Sequence, residues 1–170
     1  MFCPLKILAT ARALPPRVLT NADLEAMVDT SDSWIRDRTG IRERRIAAAG
    51  VATSDLAAEA LLAACTAAGI KPGELDAIIV GTSTPDTLFP STACWLQHRL
   101  GLRGPAAFDV SAGCSGFLYG LEIAAGLLRG NARRIAVVGA EVMSRVVNWQ
   151  DRGTCVLFGD GAGAAILGPG

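Results

Sequence analysis

Residues Phe117–Arg129 read F-L-Y-G-L-E-I-A-A-G-L-L-R, a helix-length run that is apolar almost all the way round, with Glu122 its one charge before the last residue. A helix without a polar face has to be covered on both sides. The segments around it fit a layered fold. Ala77–Thr82 (A-I-I-V-G-T), Ala106–Val110 and Ile135–Ala140 (I-A-V-V-G-A) are short continuous apolar runs, the mark of strands buried on both faces. Ser54–Ala68, with Ser54 as its cap and Gly69 and Pro72 as its stop, and Thr92–Leu100, capped by Ser91, read as the helices between them. This rhythm predicts an α/β fold: αβα layers around a mixed, mostly parallel five-stranded sheet, with Phe117–Arg129 as a buried central helix. One sheet covers one side of that helix. A second, similar layered half, outside residues 1–170, is therefore expected to pack on the other side.

The rest of the chain supplies shorter elements. Leu5–Ala13 reads as a strand closed by Pro15-Pro16 and followed by a turn. Thr20 or Asn21 caps a short helix to Val28, Ser31-Asp32 caps Ser33–Arg38, and Gly40 ends that helix. Ile41–Ile46 reads as a strand with Arg42, Arg44 and Arg45 solvated at its end. Thr154–Phe158 and Ala162–Leu167 read as two strands around the glycine-rich turn F-G-D-G-A-G. A length of 170 residues fits one domain, and mean hydropathy of +0.36 places the chain far from disordered classes. Sixteen basic and sixteen acidic side chains cancel, so no long-range field draws in nucleic acid or an anionic membrane. No apolar run reaches the roughly 18 residues of a membrane-spanning helix. The N-terminus, M-F-C-P-L-K-I-L-A-T-A-R, has no basic residue ahead of its short apolar stretch, and Pro4 sits inside that stretch, so no secretory signal and a soluble, cytoplasmic protein are expected.

Five widely spaced cysteines and a single His predict neither a disulfide framework nor a metal site. Cys3, Cys65, Cys94 and Cys155 read as small buried hydrophobes. Cys114 differs. In D-V-S-A-G-C-S-G-F (Asp109–Phe117) it falls between a buried strand and the apolar helix, which places its sulfur at a helix N-terminus where unpaired N–H groups favour thiolate. Gly113 and Gly116 allow a sharp turn and close approach by a substrate carbonyl. The competing reading is a small residue filling a tight turn, where Ala or Ser would serve equally. Gly159–Gly163 lacks the Lys-Ser/Thr ending of a phosphate loop and precedes a strand, so nucleotide binding is not expected there.

Four strings in fixed order identify a resemblance. They are T-S-D-S-W-I-R-D-R-T-G-I-R-E-R-R (Thr30–Arg45), T-P-D-T-L-F-P-S-T-A-C (Thr84–Cys94), the Cys114 string, and D-R-G-T-C-V-L-F-G-D-G-A-G-A (Asp151–Ala164). Together they resemble the N-terminal half of 3-oxoacyl-[acyl-carrier-protein] synthase III, the initiating condensing enzyme of type II fatty acid synthesis. The resemblance implies an N-terminal thiolase-like domain over 1–170 and a C-terminal half beyond it. It further implies that Cys114 is acylated by a short acyl-CoA, which is a substrate; no cofactor or metal is implied. A carbanion from malonyl-acyl carrier protein then attacks the thioester to give a 3-oxoacyl product. By the same resemblance Thr30, Trp34, Arg38 and Arg152 bind coenzyme A, with Trp34 stacked on adenine. Indole and guanidinium planes suit a purine and phosphates. Trp34 as a core aromatic, with Arg38 and Arg152 as surface charges, is the plainer alternative.

Phe89, Met143 and Phe158 match positions around the family's acyl pocket, where apolar bulk limits chain length. Phe89 belongs to a region through which family members form homodimers. The family's His and Asn, which activate the donor and stabilise developing negative charge, belong to the second half. His98 lies far from that His string and reads as a surface or helix-packing residue. Two other outcomes stay open. One is a non-catalytic acyl or coenzyme A-binding remnant. The other is a relative with the same cysteine, such as a ketide, hydroxymethylglutaryl-CoA or alkylquinolone synthase.

Overall fold

The computed structural model describes residues 5–170; the expectations for Cys3 and the extreme N-terminus lie outside them. Backbone contacts divide the chain into two compact units.

Unit one comprises Met1–Ala13, Ala52–Glu141 and Ala162–Gly170. Its sheet has five strands in the order β1-β7-β6-β4-β5: β1 (Leu5–Ala13), β4 (Ala77–Gly81), β5 (Ala106–Val110), β6 (Ile135–Val142) and β7 (Asp160–Pro169). β4 runs parallel to β5 and to β6, while β1 lies antiparallel to β7, which makes the sheet mixed as expected. Every residue of β4 is buried, as a continuous apolar run requires. Alternate side chains serve opposite faces. Ile79 joins Val137, Ala124 and Leu128 in one core cluster, while Ile78 and Val80, also fully buried, point the other way. Helices α3 (Thr53–Ala68) and α4 (Thr92–Arg99) pack together, α3 against β1 and α4 against β4 and β5.

Helix α5 (Gly116–Leu128) is the apolar run that opened the sequence reading. Its buried stripe is Gly116, Gly120, Ala124 and Leu128, spaced by four so that they share one face. The small residues are there because the helix lies almost on the sheet backbone. A Cβ on Gly81 would stand 2.7 Å from the Gly116 carbonyl carbon and 2.8 Å from the Phe117 nitrogen, and a Cβ on Gly120 would stand 2.8 Å from Val137 Cγ1. The opposite face is uncovered in this chain. Leu118 is 64% and Tyr119 57% exposed, with Ile123 and Leu127 beside them.

Unit two comprises Leu14–Val51 and Val142–Gly161. The turn expected after β1 contains a strand, β2 (Arg17–Thr20), which pairs antiparallel with β3 (Glu43–Ile46). Helix α1 (Asn21–Glu25) starts at a capping box between Thr20 and Asp23, and α2 (Asp32–Thr39) starts where the Ser31 hydroxyl accepts the Trp34 N–H. Gly40, at φ 74°, closes α2 in a left-handed conformation that few other residues adopt. Leu19, Leu24, Ile35, Ile46, Cys155 and Val156 form this unit's core.

Three sequence expectations are corrected here. Thr154–Phe158 is not a strand: α6 (Arg152–Cys155) takes its place, because the Asp151 carboxylate accepts the Gly153 N–H and the Thr154 hydroxyl. Local side-chain bonds of this kind outcompete a ladder. The glycine-rich segment is not a turn. From Asp160 onward it is β7, with Gly163 paired to Arg12 and Ala162 to Ala13. Arg44 is not solvated but 4% exposed, donating from Nε and Nη2 to the Val156 carbonyl and from Nη1 to Asn21 Oδ1. Burial without an acidic partner lowers its pKa.

Two sets of substitutions test this packing. Gly81→Ala meets unyielding backbone and should cost about 3 kcal/mol or more, Gly120→Ala about 1–3 kcal/mol, and Gly73→Ala, with open space around it, little. Arg44→Met strands a carbonyl and an amide oxygen and should cost about 3 kcal/mol. Urea unfolding of the protein that carries this chain checks both; an Ala at position 81 no worse than at 73 contradicts the close approach.

Candidate functional site

Cys114 sits in unit one, in a 3-10 turn (Gly113–Ser115) that leads directly into α5. The chain leaves β5 at Val110 and needs a left-handed step, Gly113 at φ 52°, to swing into the helix. Gly116 is small for a different reason from the one its place beside the cysteine implied: it packs against Gly81. The close approach of β4 and α5 thereby fixes where the turn stands. Among the described cysteines Cys114 is exposed, Cys94 half-buried, and Cys65 and Cys155 buried. Burial pushes the thiols of Cys65 and Cys155 up from their ordinary pKa, so both stay protonated and unreactive at neutral pH. The Cys94 thiol is engaged with the Ala107 carbonyl and the Ser91 hydroxyl.

Trp34, Arg38 and Arg152 come together in unit two. The guanidinium carbon of Arg38 lies 4.5 Å from the Trp34 ring centroid and that of Arg152 lies 4.9 Å from it, both within cation–π range. Trp34 is half-buried and packs against the unit's core, so it is a core aromatic and a platform at once. Two residues given no role by sequence orient Arg152. Asp151 caps the helical turn that carries it, and Asp29 accepts from it through its carbonyl oxygen (2.8 Å) and carboxylate (3.7 Å). The Thr154 hydroxyl and then the Gly153 N–H hold the Asp151 carboxyl below its usual range. The cap therefore persists at neutral pH and is lost as pH falls through that lowered value. The Asp in D-R-G-T was a readable N-cap signal. Thr30 stands apart from every other described residue: its hydroxyl is buried and has no hydrogen-bond partner. Such a group costs free energy unless something pairs with it.

The acyl-pocket candidates fall in both units. Met143 begins a 3-10 turn after β6 and Phe158 precedes β7; both are half-buried in unit two. Asp160, buried in the same unit, accepts the Ser144 N–H at 2.8 Å, the Ser144 hydroxyl at 2.6 Å and the Ala47 N–H at 2.7 Å, which pins the turn that carries Met143. Phe89 is in unit one at the tip of the loop before α4, 91% exposed. His98, on α4, is exposed with its ring edge-on to Trp95. No helix among the described residues is long and apolar enough to cross a membrane.

Comparison with known proteins gives consistent results. Residues 108–170 match the family described as 3-oxoacyl-[acyl-carrier-protein (ACP)] synthase III. The chain is 60% identical over 163 residues to β-ketoacyl-[acyl-carrier-protein] synthase III of Caldanaerobacter subterraneus subsp. tengcongensis, covering 95% of this chain and 49% of that protein. The crystal structure of 3-oxoacyl-[acyl-carrier-protein] synthase III from Aquifex aeolicus superposes with a TM-score of 0.94 at 50% identity, covering 98% of this chain and 54% of the other. The priming β-ketosynthase of the R1128 polyketide pathway superposes with a TM-score of 0.93 at 36% identity, covering 98% of this chain and 50% of the other. The chain is thus related over nearly its whole length to 3-oxoacyl-[acyl-carrier-protein] synthase III and shares its thiolase-like α/β fold. It spans about half the length of the curated relatives it matches.

The cysteines give a direct check on these environments. Iodoacetamide at neutral pH should label Cys114 in the native protein and reach Cys65 and Cys155 only after unfolding. Peptide mapping reads the result; native labelling of Cys155 contradicts its buried setting.

Proposed function

We propose that this chain is the nucleophile-bearing half of an initiating condensing enzyme of type II fatty acid synthesis. The observation that carries the reading is the exposed Cys114 in the turn before α5, a thiol held at a helix N-terminus. Its thiolate attacks the carbonyl of a short acyl-CoA; the carbon–sulfur bond to coenzyme A breaks and coenzyme A leaves as its thiolate. Trp34 stacks on the adenine between the Arg38 and Arg152 cations, and the unpaired Thr30 hydroxyl supplies a hydrogen bond to the bound coenzyme A. Phe89, Met143 and Phe158 bound the acyl pocket.

Condensation follows. Malonyl-acyl carrier protein loses carbon dioxide, and its carbanion attacks the Cys114 thioester. The new carbon–carbon bond gives 3-oxoacyl-acyl carrier protein and returns the thiolate. A His and an Asn from a C-terminal half support this step, and that half covers the exposed face of α5. The assembled enzyme is a cytoplasmic homodimer without a cofactor. A second reading keeps the acylation and changes the product: the likeness to the R1128 priming β-ketosynthase favours a polyketide starter step. The higher identity to the fatty acid enzymes places that reading second.

Incubation with labelled acetyl-CoA and mass spectrometry of the Cys114 peptide test the proposal. The peptide should gain one acetyl group, and Cys114→Ala should abolish the gain. Trp34→Ala should raise KM for the acyl-CoA about ten-fold with little change in kcat, since a base stacked on an aromatic ring contributes about 1–3 kcal/mol. An unmodified Cys114 peptide refutes the reading.

A further inference from the structure

We infer that Asp86 is a positioning residue: through Ser54 and Arg99 it fixes the loop that presents Phe89, and so sets which acyl chains Cys114 accepts. The inference rests on the reading of Phe89 as a wall of the acyl pocket.

All the residues concerned lie in unit one. Leu88 is 100% and Phe89 91% exposed, two large apolar side chains in sequence at a loop tip. Left to itself such a tip would fold back onto apolar surface, because burying either side chain is favourable. It does not, because its base is fastened at several points. The Glu141 carboxylate accepts the Ser83 N–H at 2.7 Å and the hydroxyls of Thr82 and Thr84. The Thr53 hydroxyl donates to the Thr84 carbonyl at 2.6 Å. Asp86 accepts the Ser54 N–H at 2.9 Å through one oxygen and the Ser54 hydroxyl through the other, while its own N–H donates to Thr92 Oγ1 at 3.2 Å. Closer to the tip, Trp95 Nε1 donates to Thr87 Oγ1 at 2.9 Å, and the Thr87 hydroxyl donates to the Pro90 carbonyl at 2.8 Å.

Of the two carboxylates among these anchors Asp86 is the nearer to Phe89 in the chain, and both of its oxygens are engaged by one buried residue. Ser54 is fully buried in the first turn of α3, where backbone N–H groups lack partners within the helix. The sequence reading took Ser54 as the cap of that helix. The N-cap is instead Ala52, whose methyl cannot accept a hydrogen bond, so a carboxylate from the loop takes the Ser54 N–H. The Ser54 hydroxyl is used twice, donating to Asp86 and accepting from Arg99 Nε at 2.7 Å, and Arg99 is itself paired with Asp55 at 2.6 Å. Charge-assisted bonds with both carboxylate oxygens engaged leave Asp86 a single orientation. A side chain that has to form one wall of a pocket gains from this, since the loop's entropy is removed before substrate arrives.

The test measures thioester formation on Cys114 from acetyl-CoA and from octanoyl-CoA, in the assembled protein that carries this chain. Asp86→Ala should leave the acetyl rate within about two-fold and raise the octanoyl-to-acetyl ratio about ten-fold, the scale of pocket discrimination among apolar groups. Asp86→Asn, which can still accept the Ser54 N–H but not the Ser54 hydroxyl, should give a ratio between those of the parent and Asp86→Ala. Trp95→Phe removes the Thr87 bond while keeping an aromatic ring beside His98, and should move the ratio the same way by about three-fold. The inference is overturned if Phe89→Ala shifts the ratio while folded Asp86→Ala and Trp95→Phe leave it unchanged. A ratio indifferent to Phe89→Ala shows that Phe89 is no wall, and the inference falls with it. Absence of any thioester in the parent protein refutes the functional reading itself.

Discussion

The contact between Gly81 and Gly116 is the constraint on which the rest of unit one depends. Strand β4 and helix α5 meet backbone to backbone at this point, where a Cβ on Gly81 would stand 2.7 Å from helix backbone and one on Gly116 would be tight at 3.1 Å. The end of β4 therefore fixes the start of the helix, and the helix start fixes the turn that holds Cys114. Two glycines thus do for Cys114 what a scaffold of hydrogen bonds does elsewhere: they hold the turn that carries it in place. The same small-residue stripe explains how a helix with almost no charge can be half-covered by one sheet and still present a wide apolar face on its other side.

Away from that contact, buried and half-buried carboxylates hold the loops. Asp109 accepts the Thr92 and Ala93 N–H groups at the start of α4. Asp86 and Glu141 fasten the loop before it, and in unit two Asp160 joins the end of β3 to the turn after β6. Each accepts backbone N–H groups that a helix or strand end leaves unpaired. The acids that carry function by sequence motif are few.

Much of the fold was legible because its signals are local. Continuous apolar runs gave β4, β5 and β6; Gly40 and Gly69 ended helices where left-handed conformations were needed; Ser31 and Ser91 capped as their positions implied. The misreadings share a cause. Arg44 looks solvated in a charged string, yet its partners Asn21 and Val156 lie 23 and 112 residues away. Thr154–Phe158 has strand-like composition, but the Asp151 side chain draws it into a helical turn. Gly159 to Gly163 looks like a turn until β1 pairs with it. Distant partners decide all of these except Asp151, whose effect is local but outweighs propensity.

The candidate site divides in the same way. Sequence by itself determined the layered α/β class, the apolar character of α5 nearly all the way round, and the place of Cys114 between strand and helix, since periodicity, punctuation and motif are written within a few residues of each other. Only the tertiary structure decided that Arg38 and Arg152 both reach the Trp34 ring, that the Thr30 hydroxyl is buried without a partner, and that Asp86 caps α3 from a loop 32 residues away. Those facts are distances between groups far apart in the chain, and no local pattern encodes a distance. The one that matters most to the placing of Cys114, backbone against backbone at Gly81 and Gly116, is visible in sequence only as two glycines among nineteen.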